Sequence, residues 1–199
     1  MLPRLIVITD WSLGEALLLE RLAAALTVGP AVAVQHRHPE ASARRYYEEA
    51  CRVAQVAQRA GCAFFVNGRL DVALLVGAHL HLPSHSYGPS DVRPHLPAGR
   101  WVSVAVHGPG DVARAQGADL ALVAPVFAPG SKPNDARPPL GPAGFLALAR
   151  ALPCPAFALG GLGPETAPAL PGALGFAAIS SVLRAADPKR AAAAILAAR

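Results

Sequence analysis

Leu5-Ile6-Val7-Ile8-Thr9-Asp10-Trp11-Ser12 is the stretch on which the fold turns. Four apolar residues followed by a polar turn read as a strand buried on both faces, the kind found in parallel sheets covered by helices. An open doubly wound sheet that binds a dinucleotide places a glycine-rich turn directly after such a strand. Here Thr9-Asp10-Trp11-Ser12 stands in that place. Working outward, short apolar runs recur at 31–35, 63–67, 78–82, 101–106, 119–124, 155–159 and 175–179. Between most of them lie helical patterns: 14–26, Pro39 to Gly61 with Tyr47, Ala50, Ala54 and Ala57 at helical spacing, a short one from Asp71, and a turn near 90–95. Further patterns follow at Pro109–Gly117, at Pro142–Ala151 and from Pro188 onward. Eight strand-then-helix units predict a single (β/α)8 TIM barrel of the α/β class, taken as one domain over residues 1–199. Such a barrel carries its functional residues on the loops after its strands.

The bulk composition excludes several function classes. A chain of 199 residues, 53% hydrophobic and 16% charged, is neither disordered nor short of a core. Thr166 to Leu183 is the least charged stretch, but Pro168, Pro171, Gly172 and Gly175 interrupt it, so no membrane span is expected. The net charge of +5 comes from scattered basic residues, and aromatics reach only 6%, which argues against nucleic acid and for small anions. Three cysteines without metal-type or paired spacing, and no secretory leader, fit a cytoplasmic protein. The apolar composition leaves room for a homo-oligomer.

Four segments carry chemistry. Gly160 and Gly161 after the seventh strand, with Ser180 and Ser181 after the eighth, sit where barrels cup a phosphate on backbone N–H groups. Two glycines also make a plain tight turn. Ser131-Lys132 lies in the long loop after the sixth strand; Lys132, one of only two lysines, either closes over the phosphate or is solvated. Ser103, Ala105 and His107 share a face of the fifth strand, which puts His107 at the mouth if that face points inward, ready to move a proton near neutral pH. Asn67 ends the third strand before Gly68, and Arg69 either meets an anion or pairs with Asp71. His36, His38, His79 and His81 form two His-x-His pairs without a carboxylate partner, so no metal is assigned to them.

VITD (7–10), FVNGR (65–69), HLHLPS (79–84), SVAVH (103–107), DLALVAPVF (119–127), SKP (131–133), ALGGL (158–162) and AISS (178–181) occur in order. Together they resemble the thiamine-phosphate synthase superfamily. Its synthase branch joins a thiazole phosphate to a pyrimidine pyrophosphate with magnesium. Its TenI-type branch is a thiazole tautomerase that moves a proton to aromatise a thiazole carboxylate phosphate.

The departures bear on the branch. The synthase has Asn-Asp-Arg where this chain has Asn67-Gly68-Arg69, and Gly-Gln-x-Asp where it has Pro83-Ser84-His85-Ser86. Arg37 remains from an Arg-Glu-Lys segment, but His38 and Pro39 replace its acid and lysine. The missing acids would hold the magnesium that balances the pyrophosphate. The expectation is therefore a tautomerase without metal or cofactor, acting on a small phosphorylated thiazole. In the resemblance His107 moves the proton, Gly160, Gly161, Ser180 and Ser181 hold the phosphate, and Arg37, Asn67, Ser84 and Lys132 contact the substrate. A synthase with an altered metal site and a non-catalytic thiazole or thiamine phosphate-binding protein stand as the alternatives.

Overall fold

The computed structural model describes residues 1–128 and 137–198. Eight strands occur in it: β1 (Leu5–Ile8), β2 (Val32–His36), β3 (Ala63–Asn67), β4 (His79–Leu82), β5 (Val102–Val106), β6 (Leu120–Val123), β7 (Ala156–Ala158) and β8 (Gly175–Ala178). Each pairs in parallel with the next, and β8 pairs with β1, so the sheet closes as the expected barrel.

The strands alternate between two apolar clusters, as a closed sheet requires. Ile6, Ile8, Ala33, Phe65, Leu120, Leu122, Phe157 and Ala177 fill the barrel. Leu5, Val7, Val32, Val34, Phe64, Val66 and Leu80 face the helices instead. Gly175 is part of this packing: a Cβ there would lie 2.4 Å from the Phe157 ring. At the N-terminal ends of β4 and β5, His79 stacks on Trp101 at 4.2 Å and lies 5.0 Å from the Phe65 ring. The Trp101 amide donates to His79 Nδ1 at 2.9 Å, which makes His79 part of the packing rather than of a site.

The covering helices are α1 (Glu15–Leu26), α2 (Ala43–Arg59), α3 (Leu70–Val76), α4 (Pro89–Val92), α5 (Gly141–Ala151), α6 (Ser180–Leu183) and α7 (Pro188–Ala197). α2 begins later than Pro39 because Ser42 caps it, its hydroxyl oxygen accepting from the Arg45 amide. Ala50 and Ala57 are buried as the spacing predicts, but Tyr46 and Val53 join them in place of Tyr47 and Ala54, and Tyr47 is exposed. Pro109–Ala115 winds as a 3-10 turn rather than an α-helix, since Gly108 and Gly110 flank its proline and Gly117 (φ +80°) follows closely. After β7 only the 3-10 turn Ala167–Ala169 forms, among Pro164, Pro168 and Pro171. Among the described residues no helix is long and apolar enough to cross a membrane.

Candidate active site

The inward-facing residues at the C-terminal ends of the strands are Gln35, Asn67, His81 and Ala105, followed by His107, Leu159 and Ile179 just beyond them. They line a cavity of about 630 Å³, together with Arg37, Ser84, His85, Asp111, Arg137 and Gly160. Four of the expected contact residues thus meet in one place: Arg37, Asn67, Ser84 and His107. A second cavity of about 500 Å³ lies beside it, lined by Gly160, Gly161, Gly163, Ser180 and Ser181. The two share Leu159, Gly160 and Ile179 as a common wall. Ser131 and Lys132 lie outside the described residues.

His107 is held at both ends. Its amide donates to Asp111 Oδ2 at 2.7 Å, and its ring Nδ1 donates to the Ala124 carbonyl at 2.7 Å. The proton on Nδ1 is thereby fixed, and Nε2 is left to accept or give a proton. His81 is buried and its Nδ1 lies 2.8 Å from Ser103 Oγ. Burial, reinforced by the charges of Arg37 and His107, pushes its pKa down to about 3, so it is a neutral ring at neutral pH.

Arg37 is fixed through its backbone. Its amide donates to Thr9 Oγ1 at 2.9 Å, and the Thr9 hydroxyl donates to its carbonyl at 3.0 Å. The residues on either side of it are structural. Trp11 Nε1 donates to His36 Nδ1 at 3.3 Å, so His36 Nε2 donates to the Tyr46 carbonyl at 3.2 Å, and burial holds this ring neutral at about 4. His38 stacks on Trp11 and bonds the buried Glu49 carboxylate at 2.8 Å, where Arg45 also donates. The sequence therefore did contain a carboxylate for one histidine of the pair, hidden eleven residues away on α2.

Gln35 escaped the sequence reading. It is 1% exposed, and its Oε1 accepts from Asn67 Nδ2 at 3.1 Å, while its Nε2 has no partner. A buried donor left open into a cavity points to an acceptor on a ligand. The signal was present: Gln35 is polar and follows Ala33 on the inward face, near the end of β2. Arg69 takes the pairing role, with bonds of 3.0 and 2.6 Å to Asp71.

The glycine loop has packing reasons as well as room for a ligand. A Cβ on Gly160 (φ +94°) would lie 2.8 Å from Pro125, and one on Gly161 (φ +61°) 2.7 Å from the Ala128 carbonyl. Ser181 Oγ donates to the Leu162 carbonyl, and Thr166 Oγ1 accepts from the Gly163 amide at 2.9 Å. The Ser181 hydroxyl is thus committed to the loop. What α6 offers an anion is the backbone N–H of its first residues, which have no intrahelical acceptor.

The family profile described as thiamine monophosphate synthase (TMP-TENI) matches residues 5–182. The chain belongs to that family. Thiamine-phosphate synthase of Chloroflexus aurantiacus is 36% identical over 194 residues, 95% of this chain and 89% of that protein. Thiamine-phosphate synthase of Moorella thermoacetica is 36% identical over 193 residues, 94% and 90% of the two chains. Among solved structures, thiamine phosphate pyrophosphorylase from Pyrococcus furiosus superposes with a TM-score of 0.81 at 29% identity, covering 97% of this chain and 93% of that one.

These relatives overturn the expectation of a thiazole tautomerase. The expectation rested on three short segments, at His38–Pro39, at Gly68 and at Pro83–Ser86, whereas the likeness to proteins named thiamine-phosphate synthase runs over nearly the whole chain.

The residues present do not fit a magnesium ion held by two acids. Gly68 stands where the synthase resemblance has its first acid, at φ +73°, a conformation that suits glycine. The Pro83–Ser86 loop replaces the second, and the Arg114 guanidinium holds it through the carbonyls of Pro83, Ser84 and Ser86. Three carboxylates around the mouth are engaged: Asp111 with the His107 amide, Asp71 with Arg69, and Asp10 with Arg184 at 2.8 and 3.1 Å. Among the described residues no three His, Cys, Asp or Glu side chains are grouped to hold a metal.

Proposed function

We propose that this barrel joins a phosphorylated thiazole to a pyrimidine bearing a diphosphate, the thiamine-phosphate synthase reaction, with an altered metal site. The carrying observation is the pair of cavities that meet at Leu159, Gly160 and Ile179. In this reading the smaller one takes the thiazole phosphate on the Gly160–Gly161 backbone and the first N–H groups at Ser180 and Ser181. The larger takes the pyrimidine diphosphate, with the open Gln35 amide donating to a ring acceptor and Asn67 holding that amide in place. Arg37 and Ser84 contact the same substrate.

The thiazole nitrogen attacks the methylene carbon of the pyrimidine. A C–N bond forms, the C–O bond to diphosphate breaks, and the diphosphate leaves with the electron pair. The ring nitrogen becomes the thiazolium cation, so no proton is lost. His107 serves the departing group: its ring is oriented by Ala124, and its Nε2, once protonated, donates to a diphosphate oxygen as negative charge accumulates there.

The test supplies both substrates and follows thiamine phosphate by its oxidation to fluorescent thiochrome. Product formed in proportion to enzyme is the expected result. No product with any cation, at substrate concentrations that saturate binding, would overturn the reading.

A further inference from the structure

Two histidines line the larger cavity, and their rings carry the proton on opposite nitrogens. The His107 ring donates from Nδ1 to the Ala124 carbonyl, which leaves its Nε2 bare. His81 is also bonded at Nδ1, but its partner is the Ser103 hydroxyl at 2.8 Å, on the neighbouring strand and in register. Ser103 is 0% exposed, and among the described residues its hydroxyl has no other acceptor. A buried hydroxyl hydrogen needs an acceptor, so it points at Nδ1, and the ring proton of His81 sits on Nε2. That N–H has no partner among the described residues, in a side chain that is almost wholly buried against the cavity.

Resting on the function proposed above, we infer that the His81 Nε2–H donates to a ring nitrogen of the pyrimidine substrate, and that Ser103 fixes this donor. The level of His81 in the barrel selects the ring over the diphosphate. His81 is the register partner of Asn67, and Asn67 bonds Gln35, so the three side chains form one inward layer across β2, β3 and β4. Arg37 and Ser84 lie above that layer, beyond the ends of β2 and β4. The open Gln35 amide supplies one donor to the layer and His81 supplies another, while a pyrimidine carries two ring acceptors. Burial keeps the His81 ring from taking a second proton, so the donor is a neutral one, suited to an uncharged heterocycle.

The experiment first reads the tautomer on the unliganded protein, from nitrogen–proton correlations of isotope-labelled histidine. Nε2–H at His81 is expected in wild type, and a mixture of tautomers in Ser103→Ala; a wild-type ring protonated on Nδ1 overturns the inference. Titration calorimetry then follows the substrate's pyrimidine as its free alcohol, beside the two analogues in which one ring nitrogen is replaced by C–H. Each analogue is expected to bind wild type roughly tenfold more weakly, the loss of one hydrogen bond to a buried group. In His81→Phe one of these two losses should vanish, while the other, made at Gln35, persists. Thermal melts check the fold of the variants. Ser103→Ala keeps the ring and frees its tautomer, so it should show the same change in smaller degree. Both losses undiminished in both variants overturn the inference, and so does a wild type that fails to bind the alcohol.

The coupling assay separates this inference from the function on which it rests. A pyrimidine KM raised in His81→Phe more than kcat falls supports both. Thiamine phosphate formed by His81→Phe at an unchanged KM leaves the function standing and overturns the His81 contact. No thiamine phosphate from wild type, with His81-dependent binding of the alcohol intact, overturns the function and leaves the contact.

Discussion

Asn67 Nδ2 donates to Gln35 Oε1 at 3.1 Å, and this single bond turns the Gln35 amide so that its own donors remain open in a buried position. An unmade hydrogen bond of that kind costs the resting protein about 1–3 kcal/mol. Its retention makes sense if a substrate acceptor completes it. Gln35→Glu keeps the acceptor for Asn67 and removes the donors. We expect KM for the pyrimidine substrate to rise at least about tenfold, or 1.4 kcal/mol. Steady-state kinetics at fixed thiazole phosphate would show it, and an unchanged KM would exclude contact at Gln35.

Gly161→Ala should be far more damaging than Gly172→Ala. Both glycines have positive φ, +61° and +85°, so both substitutions carry a conformational cost of about 1 kcal/mol. Only at Gly161 would the added Cβ also meet neighbours, at 2.7 Å from the Ala128 carbonyl and from Phe127; around Gly172 nothing lies within 4 Å. Urea unfolding should separate them by roughly 2 kcal/mol or more. Equal losses would show that the loop after β7 yields freely.

Arg114→Ala releases the carbonyls of Pro83, Ser84 and Ser86 together. Hydrogen exchange should quicken across 83–88, and stability should fall by about 1–3 kcal/mol. KM should rise more than kcat falls, because Ser84 and His85 form a wall of the cavity and the proposed reacting atoms lie elsewhere. A fall confined to kcat would place Arg114 in the chemistry itself.

Acid should unfold the protein earlier than its carboxylates alone require. Burial holds His36 and His79 at about 4 and His81 at about 3, below the ordinary histidine value of 6.5. The unfolded chain binds these protons first, so each neutral ring favours folding above pH 6.5 and that advantage is lost as the pH falls toward 4. Each loss is of the order of 1–2 kcal/mol at pH 5. His79→Gln should flatten the profile of urea midpoint against pH between 6.5 and 4. A slope equal to wild type would mean that His79 titrates normally.

Much of the barrel was legible because its cause is local. Leu5–Ile8 is apolar without interruption and the seven later runs are largely so, as suits a sheet covered on both faces, and eight of them with helices between leave few closures. Alternation put Ser103, Ala105 and His107 on one face of β5; that this face points inward and brings His107 to the mouth is set by the closed barrel. What sequence order could not convey was partnership across the fold. Glu49 lies under His38, Arg114 under the Pro83–Ser86 loop, and Asn67 beside Gln35, each through contacts between different elements. The reading of α2 started the helix at Pro39 where Ser42 caps it, and put Tyr47 and Ala54 on the buried stripe where Tyr46 and Val53 lie. The choice of branch failed for another reason: it weighed three short segments against the bulk of a chain that resembles synthases over nearly its whole length.

The stack of His79, Trp101 and Phe65 has a consequence for anyone who would alter this protein. It packs aromatic rings one layer beneath the Asn67–His81 register, on the side away from the cavity. The rings at the other end form a foundation that can be hardened, for heat or for acid, while the chemistry above is left as it stands.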